Sequence, residues 1–214
     1  MSTLGEFVAR EGVLDAIDAE VGGFITSATT AAKKAGKVSC TACKERKACC
    51  WSLVVARLYE GIRVASTLRA QNRDTPELRA ALADAAAAME AADPYGYRRP
   101  CVFLDAGERC TVYTGRPSAC GTLWVYSPPR ACNEPGAPIR AFIADAEQAA
   151  ATALEEPFRQ RLGLRKKVGR RYIGVFPRMV LLALDAWDRE DFREVLSAYP
   201  WPTDDEAARW GRRG

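Results

Sequence analysis

The chain of 214 residues contains no histidine. That absence removes Ser-His-Asp and Cys-His nucleophilic machinery, HExxH metal sites and imidazole proton shuttles. Any metal must then be held by thiolates, carboxylates or backbone, and the eight cysteines point to soft or borderline ions. Long apolar runs are also missing. No stretch of about 18 such residues occurs, so no transmembrane helix is expected. The opening MSTLGEFVAREGVLDAIDAE threads acidic residues through its apolar pattern and has no basic n-region, which argues against a signal peptide. The expected location is the cytoplasm, where thiols stay reduced and stable disulfides are rare. There is little excess of one charge: 31 basic residues face 27 acidic ones, a net +4, less basic than a general nucleic-acid binder. Finally, no Gly-rich loop follows a predicted strand, so nothing supports a nucleotide-like cofactor.

What is present reads as mostly α, a helical domain with an irregular, loop-rich cysteine region and one short hairpin. The length suits one domain with an ordinary core. Val13, Leu14, Ile17, Val21, Phe24 and Ile25 recur at helical steps, with Gly36 as terminator and Gly22 and Gly23 as a weak point that could divide the segment. A second helix is expected from Trp51 to about Ala70, with Val54, Leu58, Ile62 and Ala65 on one stripe and Arg57, Glu60 and Arg63 off it. In DTPELRAALADAAAAMEAAD, Thr75 caps, Pro76 suits the first turn, and Leu78, Leu82, Ala86 and Met89 form the stripe. CVFLD and CTVYT, parted by AGER, could be two short strands. A helix is expected from Ile139 to Glu156, ended by Pro157, followed by helical segments around Phe176 and Phe192 and a frayed tail from Thr203. The chain divides into a helical segment 1–39, a cysteine-bearing region 40–132 and a helical segment 133–214, expected to share one compact domain.

The cysteines fall in two groups, CTACKERKACC (40–50) and CVFLDAGERCTVYTGRPSAC (101–120), with Cys132 beyond. Cys40 and Cys43 form a CxxC unit, in which two thiolates can turn toward one ion. A dithiol redox pair would sit in a βαβ pattern, which is not seen. Adjacent Cys49 and Cys50 should point apart, so they suit different metals, or one binds and the other packs. At the start of a helix their thiols would be acidified by its positive end. Lys44, Arg46, Lys47, Arg109 and Arg116 could offset thiolate charge, or be ordinary solvated loop residues. All eight cysteines avoid the apolar stripes, which sets metal binding ahead of simple burial.

The two groups together resemble the YkgJ-type (CxxCxxCC) cysteine-cluster family, a zinc- or iron-chelating domain. Cys40, Cys43, Cys49 and Cys50 match its first motif. Cys101, Phe103, Leu104, Cys110, Tyr113, Arg116, Pro117 and Cys120 match its second, and Cys132 completes the eight. The resemblance covers roughly 40–132. Here five residues separate Cys43 from Cys49 instead of two, Val102 stands for the usual proline, and Gly121 stands where arginine commonly follows. The resemblance implies that all eight cysteines are metal ligands.

Four thiolates suit tetrahedral zinc and equally an iron–sulfur cluster, and spacing does not separate one zinc from two or zinc from iron. A closed all-thiolate zinc site would be structural, because catalysis needs an open position. The cysteine region is also similar to that of a flagellin lysine N-methylase, which makes methyl transfer an alternative. A third reading is an anion- or nucleic-acid-binding module built on RQRLGLRKKVGRR (159–171), against which the modest net charge weighs. Trp124, Tyr126 and Trp201 are read as packing residues.

Overall fold

The structure, a computed structural model, describes residues 2–36, 38, 48–93, 97–121, 123–134, 140–143 and 145–211. Helix α1 (Leu4–Arg10) opens on a capping box: Thr3 Oγ1 accepts the Glu6 N–H, and the Glu6 carboxylate accepts that of Thr3. Helix α2 (Val13–Ala35) runs unbroken through Gly22 and Gly23 and ends at Gly36. The break falls instead at Gly12, whose φ of 57° is a left-handed conformation that glycine adopts without penalty.

The helix expected from Trp51 starts later. Ala48–Trp51 is a 3-10 turn, Val55–Arg57 is strand β1, and helix α3 spans Leu58–Ala70. The Val54–Val55 pair favours extended backbone, and the Glu60 carboxylate accepts the Arg57 N–H at 2.8 Å, which fixes the helix start. Helix α4 (Pro76–Ala91) carries the expected Thr75 cap and first-turn proline. The short helix α5 (Ser118–Gly121) leads into strand β2 (Leu123–Val125), which pairs antiparallel with strand β3 (Ala141–Ile143), Trp124 opposite Phe142. That pairing claims the start of the helix expected from Ile139. The remainder is helix α6 (Asp145–Ala153) and helix α7 (Glu155–Arg161). Pro157 lies inside the first turn of α7, where its missing N–H has no partner to lose.

Strand β4 (Ile173–Val175) pairs antiparallel with β1, Val55 opposite Val175. It passes directly into helix α8 (Phe176–Ala186), followed by helix α9 (Phe192–Ala198). The tail read as frayed forms helix α10 (Asp204–Gly211). Thr203 and Glu206 cap it reciprocally, Thr203 Oγ1 accepting the Glu206 N–H and the Glu206 carboxylate accepting that of Thr203. Helices thus predominate among the described residues, joined by two short ribbons and an irregular cysteine-bearing stretch, as expected.

Helices α3 and α8 pack at backbone distance: a Cβ at Gly61 would lie 2.4 Å from the Met179 carbonyl oxygen. Around them one apolar cluster includes Leu4, Ile17, Ile62, Leu68, Met179, Leu184 and Trp201. Trp201 is buried, as its reading as a packing residue requires. Phe103 and Val112 from the cysteine stretch join the same cluster, and the Phe103 ring lies 5.2 Å from that of Phe176. Full burial of a side chain of this size contributes roughly 1.5–3 kcal/mol, so the cysteine stretch is fastened to the helical core by its own aromatic.

Candidate metal centre

Cys40 and Cys43 lie outside the described residues, as do Lys44, Arg46 and Lys47. The other six cysteines are described, and no disulfide joins any of them. Cys49 and Cys50 sit in the 3-10 turn before β1, Cys120 in α5, and Cys132 in a second 3-10 turn, Pro129–Asn133. Because that first turn leads into a strand, Cys49 and Cys50 gain nothing from a helix end. Cys49 foremost, with burial and the neighbouring Cys101 and Cys120, raises the Cys50 thiol far above its ordinary range.

The strands expected at 101–105 and 110–114 reduce to a single bridge between Leu104 and Cys110. Asp105 imposes the turn. Its Oδ1 accepts the N–H groups of Gly107 (2.8 Å) and Arg109 (2.9 Å), and its carboxylate pairs with the Arg109 guanidinium at 3.0 Å. These bonds, led by the Arg109 N–H, hold the Asp105 carboxyl below the usual range. Arg109 is therefore tied within its own loop. Arg116 lies over the exposed Tyr113 ring at 3.9 Å and stays close enough to Cys120 to favour its thiolate.

The fold brings the two sequence groups together. The Cys101 N–H donates to the Cys50 carbonyl at 2.7 Å. Burial pushes the Cys101 thiol up to about 11, with Cys110 and Cys49 adding to the rise. Cys120 reaches solvent with part of its surface, yet its sulfur is crowded. Desolvation first, then Cys101, Cys49 and Cys110, drive its thiol up. The turn bearing Cys132 also packs on the turn bearing Cys49 and Cys50. Among the described residues no three Cys, Asp or Glu side chains are close enough to hold an ion as placed. The donor type fits zinc or iron nonetheless, since cysteine thiolates are ligands that both take.

Helix α3 and the turn after it hold this stretch. Arg63 donates to the carbonyls of Thr114 (2.7 Å) and Arg116 (3.2 Å) and pairs with Asp18 of α2. Arg73 donates to Thr111 Oγ1 (2.9 Å) and to the Thr111 carbonyl (3.3 Å). Glu60 accepts the Ser118 N–H at 2.7 Å. These roles escaped sequence reasoning, which placed Arg57, Glu60 and Arg63 off the apolar stripe and gave them no partner. Their spacing of three did put them on one face, the only available signal. Gly121 also gains a reason: a Cβ there would lie 2.6 Å from Ile25 Cγ1 of α2, so α5 is seated where no arginine fits.

Residues 39–134 match the model of the CxxCxxCC family, described as "Putative zinc- or iron-chelating domain". The likeness read from the two cysteine motifs is thus found across the region that carries them, and it supports metal binding in general. No curated protein and no solved structure matches the chain at a significant level. No described helix is long and apolar enough to cross a membrane.

Proposed function

We propose that the chain is a metal-binding protein in which thiolates of Cys40, Cys43, Cys49, Cys50, Cys101, Cys110, Cys120 and Cys132 coordinate zinc or iron, the iron either alone or within an iron–sulfur cluster. The observation that carries this reading is the contact between the two cysteine groups: the Cys101 N–H donates to the Cys50 carbonyl at 2.7 Å, and the turn bearing Cys132 packs on the turn bearing Cys49 and Cys50. Bound metal would supply a crosslink between the two cysteine groups. The chain's own residues do the rest: Phe103 anchors the second group in the core, Asp105 shapes its turn, and Arg63 and Arg73 hold its carbonyls. A thiol-reducing compartment, the cytoplasm, suits such ligands.

The basic run 159–171 gives weaker support to an anion-binding module. Arg159 is bidentate to Glu156 at 2.8 Å, Arg171 pairs with Glu155 at 2.5 Å, and Arg170 with Glu206 at 3.4 Å, so these cations already have carboxylate partners.

Elemental analysis, a visible spectrum and thiol titration of anaerobically purified protein test the proposal. Stoichiometric zinc or a brown iron chromophore, with thiols shielded until a chelator is added, is expected. Metal-free protein whose thiols all titrate freely, and whose stability zinc does not change, would overturn it.

A further inference from the structure

A carboxylate with no solvent exposure needs a reason to be in a protein interior, because burying it unpaired is costly. Glu60, in the first turn of α3, has 0% exposure. Its Oε2 accepts the Arg57 N–H at 2.8 Å, which is ordinary capping. Its Oε1 does something else. It reaches across to the Ser118 N–H at 2.7 Å, a residue far along the chain and the first of α5. Arg57 reinforces the contact, lying 3.7 Å from Glu60 Oε2 and donating to Ser118 Oγ at 3.3 Å.

Ser118 is two residues from Cys120, whose own N–H is fixed to the Pro117 carbonyl at 3.0 Å. Helix α5 has only four residues, so it cannot hold itself in place; its orientation is set by what grips it. Gly121 seats one end on Ile25, and Glu60 holds the other. The grip is rigid because α3 is locked to α8 at Gly61, the next residue. A hydrogen bond to an ionised acceptor contributes more than a neutral one.

We propose that Glu60 is a positioning residue for the metal centre, holding α5, and with it Cys120, through the Ser118 N–H. This rests on the metal-binding reading above. Glu60 touches no ligand atom and acts through Cys120 alone.

The test is a double-mutant cycle of wild type, Glu60→Gln, Cys120→Ser and the double variant, measured by competition for zinc against a chromophoric chelator. Loss of a group that orients a metal ligand weakens binding about 10- to 100-fold. Glu60→Gln should do so in the wild-type background and have no effect where Cys120 is already serine. A second readout needs no metal: in reduced, metal-stripped protein Glu60→Gln should change the alkylation rate of Cys120 severalfold and leave that of Cys110 unchanged. Should Glu60→Gln fail to fold, Glu60→Asp keeps the charge but draws the carboxylate back from the Ser118 N–H, and the same results are expected. Equal losses in both backgrounds, or an unchanged Cys120 alkylation rate, would overturn the proposal while wild type still binds zinc. Wild type that binds no zinc would overturn the metal-binding reading itself and this proposal with it.

Discussion

Buried carboxylates need their lone pairs met, and Asp74 and Glu60 are satisfied by different partners. Asp74, in the turn between α3 and α4, accepts from Arg79 Nε (2.7 Å) and from Arg69 (3.1 Å), and through these arginines is linked to Asp185 and Asp188 at the end of α8. The Arg79 hydrogen bond foremost, outweighing desolvation and aided by Arg69, holds the Asp74 carboxyl below its ordinary range. A carboxyl depressed by folding adds stability that is present above its unfolded pKa of about 3.9 and is lost as pH falls through the folded value. Asp74→Asn should therefore lower stability by about 1–3 kcal/mol near neutral pH, and its deficit against wild type should shrink in denaturant titrations below about pH 4. A deficit that stays constant down to pH 2 would refute the assignment. At this scale the sequence is a partial guide. Thr75 and Pro76 announce the start of α4 because capping is local. Glu60 gives no such signal, because its second partner is Ser118.

Between elements, the junctions were harder to read than the elements themselves. Val54, Leu58 and Ile62 keep helical spacing across the joint between β1 and α3, so periodicity extends the helix backward over a strand too short to alternate. β3 is hidden in the same way ahead of α6, and only its pairing with β2 distinguishes it. Glycine spacing around α3 and α5 leads to a direct comparison. Gly61→Ala forces a methyl against a carbonyl oxygen, which cannot swing away, whereas Gly121→Ala meets the movable side chain of Ile25. Gly61→Ala should cost about 1–3 kcal/mol in chemical denaturation, and Gly121→Ala less. If the two rank in the opposite order, α3 and α8 are not packed as closely as the Gly61 contact requires.

Across the whole molecule, fold class was legible because the helices around Ile17, Ile62 and Leu82 carry apolar stripes, and the metal motif because cysteine spacing is a chemical signature. What was not legible is that the cysteine stretch shares the helical core: nothing local marks Phe103 as the neighbour of Phe176. Phe103→Ala should cost about 3–5 kcal/mol and weaken zinc binding with it, since frame and ligands are then one cooperative structure. If zinc occupies the proposed site and binds only the folded chain, it should in turn raise the unfolding free energy by about 2.7 kcal/mol at a hundred times its dissociation constant, an increment seen as a higher Tm and removed by chelator. The pairing of β1 with β4 has a further consequence for the chain as it is made. Strand β1 is complete at Arg57, but its partner begins at Ile173, and Cys101, Cys110, Cys120 and Cys132 are all synthesised in between. At about 5–20 residues per second, a ribosome exposes a full complement of thiols for seconds before the strand that anchors α3 exists, so the nascent chain depends on the reducing power of its surroundings before it can depend on its fold.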